Sequence, residues 1–577
     1  MQPLYSNTTG SNNTAFGVNA LFSNTTGNDN IAVGTFALRS NTTGTNNIAT
    51  GANALSFNTT GINNVANGVS ALNANTIGSN NVANGVNSLY SNTEGSDNIA
   101  NGSFALYSNT TGNSNTATGL STLYNNTTGS YNTATGQNAL LRNTTGNLNT
   151  ANGTYALYSN TTGSYNVANG FNSLYSNTTG VSNIANGAYA LYNNTTGSNN
   201  VANGQDALNS NTTGSNNTAN GDNALYSNTT GYNNTANGQN ALRFNTTGNN
   251  NTANGLYSLR SNTTGSNNAA NGAYALNANT TGYNNVATGT GTLDYNTTGY
   301  SNTATGQDAL YFNTIGTFNT ATGQSTLYKN TTGNYNVAIG AFSLNSNTTG
   351  NYNTATGQNA LYNNTTGGFN VATGPFSLNS NTTGSYNTTV GNESLNSNTT
   401  GGGNTAVGSN ALRSNTTGNS NTAIGLNGLY SNTTGQNNTV IGSNANTNTE
   451  TGSNNTILGA NIGGLTSNSS NYIVLSNGNG VNQAVFDGTN WTLKGQLTSD
   501  KFNTLIGANA SAGNATLVAG TVTVTTTAAT ANSIIQLTHK TSGGTVGVVD
   551  YTTTNGSFTI TSNNALDTST ISYFIIN

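Results

Sequence analysis

This chain of 577 residues contains no cysteine, two prolines and one histidine, and only 4% of its residues are charged. Without cysteine it has no disulfide framework and no thiolate chemistry. The single histidine, His539, cannot form an ordinary zinc site by itself. The net charge of −4 includes no basic run, so nucleic-acid binding by phosphate neutralisation is not expected. We expect no cofactor and no metal.

Long apolar runs are also missing. No stretch is long enough to cross a bilayer, and the first residues show neither a basic nor an apolar signal region. We therefore expect no membrane insertion.

Glycine and asparagine, in contrast, recur at fixed intervals. Glycine falls every 17 residues from Gly10 to Gly452, a second glycine row runs from Gly17 to Gly459, and an asparagine row runs from Asn13 to Asn455. Such unbroken periodicity indicates one small unit stacked on copies of itself. We predict an all-β protein built on a parallel β-solenoid (a β-roll or β-helix) of about 27 coils.

One repeat, Gly214–Thr230, illustrates the unit G-x-x-N-[TVI]-A-x-G-x-x-[AS]-L-x-x-N-T-T. Glycines and β-branched residues disfavour helix, so we predict two extended segments per coil, here 217–219 and 224–226. The glycines would serve the corners, where positive φ is needed. The rows expected to carry the stack begin with Gly10, Gly17, Gly27, Asn13, Asn30, Asn47, Leu21, Leu38 and Leu55.

The predicted core is thin, with one leucine per coil. We expect in-register asparagine amides to hydrogen-bond between neighbouring coils and to contribute as much as the leucines. A thin core also favours neighbouring chains, and a homotrimer would bury the alanine or leucine stripes between its subunits. The core volume suggests this assembly, and the period alone does not require it.

The repeat fails after Leu429. We predict a solenoid shaft over residues 1–460, a linker and β-hairpin neck over 461–502, and a tip domain over 503–577. In the tip, five segments with alternating apolar residues and Gly or Asn turns indicate a small antiparallel β-sandwich or barrel. Their predicted ranges are 515–527, 533–540, 545–553, 557–562 and 570–576.

The repeat motif, as in Asn421-Thr-Ala-Ile-Gly425, resembles the head repeats of trimeric autotransporter adhesins, which form a parallel β-roll, and the related repeats of phage and giant-virus fibres. The neck, 472–493, and the tail, 517–576, resemble the C-terminal parts of phage tail fibres. The coiled-coil stalk and the membrane anchor of the adhesins are missing here. The resemblance therefore implies a virion fibre.

Tyrosine often follows the leucine of the repeat. If leucine points inward, the alternation of a strand turns these tyrosines outward or into an interface between chains. There they could contact surface glycans, stack between coils or pack in a trimer. The residues are Tyr90, Tyr107, Tyr124, Tyr158, Tyr175, Tyr192, Tyr226, Tyr311, Tyr328, Tyr362 and Tyr430.

We expect a non-enzymatic structural fibre, on a virion surface or otherwise extracellular, which attaches to a host-cell glycan or protein. The alternative is a filament joined end to end through the C-terminal domain, because the chain starts in mid-repeat with Leu4 already in register. Two weaker alternatives are ice binding and a polysaccharide-degrading spike. Adjacent threonines such as Thr25-Thr26 speak against ice binding, and the spike would need paired carboxylates from among Asp487, Asp500, Asp550 and Asp567.

Overall fold

The computed structural model describes residues 2–462, 465–493, 512–526, 529–541 and 543–576. Within these ranges every regular element is a strand, which confirms the all-β prediction with a parallel solenoid. The chain forms two compact units, Met1–Thr383 and Gly384–Asn577.

The first unit contains 22 strands of three residues each, one per 17-residue turn. Each strand pairs in parallel with the next along the chain, so that Thr218 lies opposite Thr235 and Ala219 opposite Ala236. The strands are β1 Thr14–Phe16, β2 Ile31–Val33, β3 Ile48–Thr50, β4 Val65–Asn67, β5 Val82–Asn84, β6 Ile99–Asn101, β7 Thr116–Thr118, β8 Thr133–Thr135, β9 Thr150–Asn152, β10 Val167–Asn169, β11 Ile184–Asn186, β12 Val201–Asn203, β13 Thr218–Asn220, β14 Thr235–Asn237, β15 Thr252–Asn254, β16 Ala269–Asn271, β17 Val286–Thr288, β18 Thr303–Thr305, β19 Thr320–Thr322, β20 Val337–Ile339, β21 Thr354–Thr356 and β22 Val371–Thr373.

Each turn has one strand, so the prediction of two extended segments is wrong for the second. Residues 224–226 form a turn in which Leu225 has a φ of 52°. The left-handed conformation costs a non-glycine residue about 1–2 kcal/mol. Here it points a fully buried leucine into the corner of the coil, while the Leu225 N–H still bonds the Ala241 carbonyl of the next turn at 3.0 Å.

The two glycine rows serve different purposes. Gly17 has a φ of 129°, as expected for a corner glycine. The Gly10 row was also expected at positive φ, and this is wrong for Gly214. A Cβ on Gly214 would instead collide with the Gly231 carbonyl oxygen and lie 2.5 Å from Asn211 Oδ1. Close stacking of the turns therefore requires glycine at this position.

Two buried rows of asparagine connect successive turns. In the first row, Asn30 Nδ2 donates to Asn13 Oδ1 at 3.1 Å and to the Gly44 carbonyl at 2.9 Å, while the Asn30 N–H also donates to Asn13 Oδ1 at 3.0 Å. In the second row, Asn41 Nδ2 donates to Asn24 Oδ1 at 2.7 Å. Asn30 and Asn41 are fully buried. A buried amide is costly unless it is paired, and here each one also ties one turn to the next.

The leucine and alanine stripes are covered within a single chain. Leu21, Leu38 and Leu55 are 0% exposed, as are the strand alanines such as Ala32. The expectation that neighbouring chains bury these stripes is therefore wrong, and the homotrimer stays a prediction without that support.

The second unit begins with five more solenoid strands and ends in antiparallel sheets. Its strands are β23 Thr388–Val390, β24 Thr405–Val407, β25 Thr422–Ile424, β26 Thr439–Ile441, β27 Thr456–Leu458, β28 Ile473–Ser476, β29 Asn482–Phe486, β30 Trp491–Leu493, β31 Ala512–Thr516, β32 Thr521–Thr525, β33 Ile534–Thr541, β34 Val549–Thr554, β35 Ser557–Ser562 and β36 Thr570–Ile576.

The predicted neck hairpin is a three-stranded meander. Strand β28 continues the parallel stack on β27 and then pairs antiparallel with β29, which pairs with β30. Asp487 ends β29 because its Oδ1 accepts the N–H groups of Thr489 and Asn490 at 2.9 and 2.7 Å. The predicted boundary between residues 502 and 503 lies outside the described residues.

The C-terminal strands form two three-stranded antiparallel sheets, β31-β36-β33 and β32-β35-β34. The predicted first strand, 515–527, is wrong as a single element, because Ala519 and Gly520 turn at positive φ and divide it into β31 and β32. The buried core between the two sheets includes Leu517, Phe558 and Ile571. This arrangement is the small antiparallel sandwich that the sequence predicted.

Candidate binding surfaces

The tyrosines after the leucine row stack on one another along the solenoid. The rings of Tyr90 and Tyr107 lie 5.2 Å apart, those of Tyr107 and Tyr124 lie 4.9 Å apart, and both pairs are nearly parallel. Tyr158, Tyr175 and Tyr192 form a second such stack with spacings of 5.0 and 5.2 Å. All six side chains are half-buried.

This stacking limits what the tyrosines can bind. Each ring covers a face of its neighbour, so a sugar ring can stack only on the end rings or contact the edges and hydroxyls. The leucine before each tyrosine is in the left-handed region, so strand alternation does not set the direction of these side chains, and their contact with a glycan or another chain stays a prediction. Burial also raises the pKa of Tyr311, in the same row, to about 12, with the Asp294 carboxylate adding to the rise.

A second aromatic row lies on another corner and is more exposed. Phe318, Tyr335, Tyr352 and Phe369 are 42–49% exposed and stack at 4.9–5.0 Å. They occupy the second position after the first glycine of the repeat, where asparagine is the commonest residue, as at Asn216. This row was not predicted from the sequence, although an aromatic residue recurring every 17 residues is its signal there.

Two adjacent threonine rows run along the solenoid, one through the half-buried Thr25 and one through the exposed Thr26. Thr25 Oγ1 donates to the Thr42 carbonyl at 3.0 Å, so this row is used in stacking. Threonines also flank the central alanine in five strands of the first unit, a pattern overlooked when only adjacent threonines were considered. These strands are β7, β8, β18, β19 and β21. These strands are adjacent only in two pairs, β7–β8 and β18–β19, so their threonines do not make an extended flat face.

An open groove of about 420 Å³ lies on the C-terminal sandwich. Val548 and Tyr551 supply apolar surface, and Asp550, Thr552 and Thr561 supply polar groups. Mixed apolar and polar linings of this kind suit a sugar. A further groove of about 440 Å³, lined by Phe342, Tyr362 and four amide side chains, lies on the first unit.

Beside the sandwich groove, Asp567 is fully buried and connects two loops. Its Oδ2 accepts the Ser562 hydroxyl at 2.8 Å and the Gly547 N–H at 2.9 Å, and its Oδ1 accepts the Ser569 N–H at 2.9 Å. Hydrogen bonds from the Ser569 hydroxyl and the Gly547 N–H hold the pKa of Asp567 well below its usual range. Such a carboxylate is ionised and structural.

The other candidate acidic residues make separate local contacts. Asp487 caps the turn after β29, and Asp550 Oδ1 accepts the N–H of Tyr551 at 2.8 Å. Asp500 lies outside the described residues. In the described ranges, no group of three His, Cys, Asp or Glu side chains could hold a metal ion, and no helix is long and apolar enough to cross a membrane.

The fold and these surfaces define a β-solenoid protein with a C-terminal β-sandwich. Residues 509–576 match the family model described as K1 capsule-specific polysaccharide lyase, C-terminal domain. Neither the curated proteins nor the solved structures give a match. The family match covers the sandwich and does not reach the repeats, so the resemblance to adhesin head repeats stays a prediction.

Proposed function

We propose that this protein is a tail-spike-like virion fibre that attaches to a polysaccharide on the host-cell surface through its C-terminal sandwich. The match of residues 509–576 to the C-terminal domain of a capsule-specific polysaccharide lyase carries the proposal. The long solenoid supports it, because a stack of in-register turns makes a rigid spacer. The sandwich groove, with Tyr551 beside Asp550 and Thr561, is the proposed contact surface.

Binding to bacteria tests this function. Fluorescently labelled full-length protein is mixed with a panel of encapsulated strains and with a capsule-free derivative of each. We expect binding to at least one encapsulated strain and none to its derivative. Replacing the groove residues Asp550 and Thr561 by alanine should weaken binding, while Asn220→Ala, a change on the solenoid strand β13, should not. Equal binding to both members of every pair would contradict the proposal.

We further propose that the chain itself is not an enzyme. The acidic residues in the described ranges support this view, because Asp487, Asp550 and Asp567 each hold their own local contacts. Incubation with capsule preparations should leave polymer length unchanged. Shortening of any polymer by the purified protein would contradict this part of the proposal.

For assembly, we propose a homotrimer with a free tip. The outer strand face supports an interface between chains, since its β-branched residues such as Ile31, Ile99 and Val286 are 39% exposed. The alternative is an end-to-end filament. Electron microscopy with mass determination separates the two, because particles of one length and three-chain mass support the fibre and indefinite growth supports the filament.

A further inference from the structure

Two arginines follow the leucine row in adjacent turns of the first unit. Arg243 comes after Leu242, and Arg260 comes after Leu259. The Phe244 ring contacts both arginines, because its centroid lies 5.1 Å from the Arg243 guanidinium carbon and 5.3 Å from that of Arg260. Tyr226 adds a contact to Arg243 at 5.9 Å and Tyr257 one to Arg260 at 5.4 Å. Aromatic faces hold both cations in place.

Among the residues that the structure describes, no carboxylate forms an ion pair with either arginine. Elsewhere in the same row, Arg413 Nε donates to Glu393 Oε2 at 2.6 Å, and this is the one ion pair within the described ranges. Glu393 lies 20 residues before Arg413. The corresponding positions for Arg243 and Arg260 are Asn223 and Asn240, which carry no charge. The repeat can neutralise an arginine at this site and does not do so here.

The neighbouring acidic residue is also engaged elsewhere. Asp222 accepts from Asn223 Nδ2 at 2.9 Å and from Gln239 Nε2 at 3.4 Å. The Nε atoms of Arg243 and Arg260 are buried and have no hydrogen-bond partner. Two like charges on adjacent turns repel each other, and an anion that contacts the exposed parts of both guanidinium groups would relieve the repulsion.

Each arginine side chain is partly accessible from solvent, although its Nε is buried. Both arginine side chains are half-buried, and Phe244 is 37% exposed. A guanidinium presents several N–H donors in a fixed plane that matches carboxylate and other oxyanions. On the side of a shaft, such a pair suits a charged group carried by a polymer that lies along the turns.

We propose that Arg243 and Arg260 form a binding site for an oxyanion of an acidic polysaccharide, either a uronate carboxylate or a sulfate ester. This site lies outside residues 509–576, so it adds a contact to the shaft that does not depend on the function proposed for the sandwich.

The test measures binding of the full-length chain to immobilised polygalacturonate, dextran sulfate and neutral dextran at low and high ionic strength. We expect binding to one or both acidic polymers, loss of that binding at high salt, and none to neutral dextran. Binding to polygalacturonate alone identifies a carboxylate site, and binding to dextran sulfate alone identifies a sulfate site. Absence of binding to both acidic polymers would overturn the proposal.

Matched variants locate the site. The double variant Arg243→Gln and Arg260→Gln should raise Kd about tenfold or more, because charge-assisted hydrogen bonds are lost. The double variant Asn223→Glu and Asn240→Glu keeps both arginines and should weaken binding similarly, by copying the Glu393 arrangement. Arg413→Gln, whose guanidinium is already paired, should leave Kd within about twofold. Unchanged binding in both double variants, with circular dichroism like that of the parent chain, would overturn the proposal.

Discussion

Replacing Asn217 by alanine removes one amide from the middle of a buried ladder. Asn217 is 0% exposed, and its Oδ1 accepts both the Asn234 N–H at 2.9 Å and Asn234 Nδ2 at 3.2 Å. Its Nδ2 donates to Asn200 Oδ1 at 3.2 Å and to the Gly231 carbonyl at 2.8 Å. One substitution therefore removes contacts to the turns on both sides.

The cost can be estimated group by group. The Gly231 carbonyl keeps a second donor in Asn228 Nδ2 at 3.0 Å, and Asn234 Nδ2 keeps the Gly248 carbonyl at 2.9 Å. The Asn234 N–H keeps no partner, and an unsatisfied buried donor costs roughly 1–3 kcal/mol. With the other lost bonds, we expect a local destabilisation of about 2–4 kcal/mol, which is about 30- to 700-fold in an opening equilibrium.

Hydrogen exchange followed by mass spectrometry on the full-length chain measures this effect. In a solenoid each turn contacts only its neighbours, so faster exchange should be confined to peptides covering a few turns around residue 217. Thr218→Ala is the matched control, since Thr218 lies on the outer face of β13 and the repeat carries alanine there at Ala269. We expect the control to change local stability by no more than about 0.5 kcal/mol. Equal exchange in Asn217→Ala and the control would refute the claim that the amide ladder holds the turns together.

Three further outcomes are expected. Asp567→Asn should lower the melting temperature of the C-terminal sandwich at neutral pH, whereas the control Asp550→Asn should change it little. Because the folded pKa of Asp567 is depressed, its stabilisation is present above the unfolded pKa of about 3.9 and is lost as pH falls below that value. The difference in melting temperature from the parent chain should therefore vanish in acid. Hydrogen exchange around the substituted turn should be faster in Gly214→Ala than in Gly368→Ser. A Cβ on Gly214 would collide with the Gly231 carbonyl oxygen, whereas a Cβ on Gly368 approaches the Asn351 carbonyl oxygen only to 3.0 Å. Ultraviolet titration should show Tyr311 ionising near pH 12. Because the folded pKa of Tyr311 is raised, its contribution to the stability of the fold should be lost as pH rises from about 10 through 12. A Tyr311→Phe chain that shows the same late ionisation would contradict this assignment.

Much of the fold could be predicted from periodicity. The 17-residue rows of glycine, asparagine and leucine have a direct counterpart in parallel strands paired without a shift, such as Thr218 opposite Thr235. The alternating strands of the sandwich were also readable, because turn residues mark their limits. The sequence motif weakens after Leu429, but the parallel stack continues through β26 and β27.

Backbone conformation inside the turn was not readable. Leucine favours neither turns nor positive φ, so an alternating strand was the natural reading of Ala224-Leu225-Tyr226. Stacking imposes the left-handed corner at Leu225 instead, because hydrogen bonds to the adjacent turn and full burial of the side chain compensate its cost. The position of the tyrosines and the exposed row around Tyr335 both depend on such corners.

The unpaired arginines could be seen only with the structure. In sequence, Arg243 and Arg260 are two charges in a chain with nine lysines and arginines. Their significance comes from the spacing of 20 residues that joins Arg413 to Glu393, which the 17-residue period does not suggest.

The most direct test of the stacked-turn architecture is electron cryomicroscopy of the purified protein, analysed over the unit Met1–Thr383. This account predicts regular rungs about 4.8 Å apart, each made of one 17-residue turn with asparagine side chains inside. Density without such rungs, or with a repeat that is not one turn per 17 residues, would contradict it.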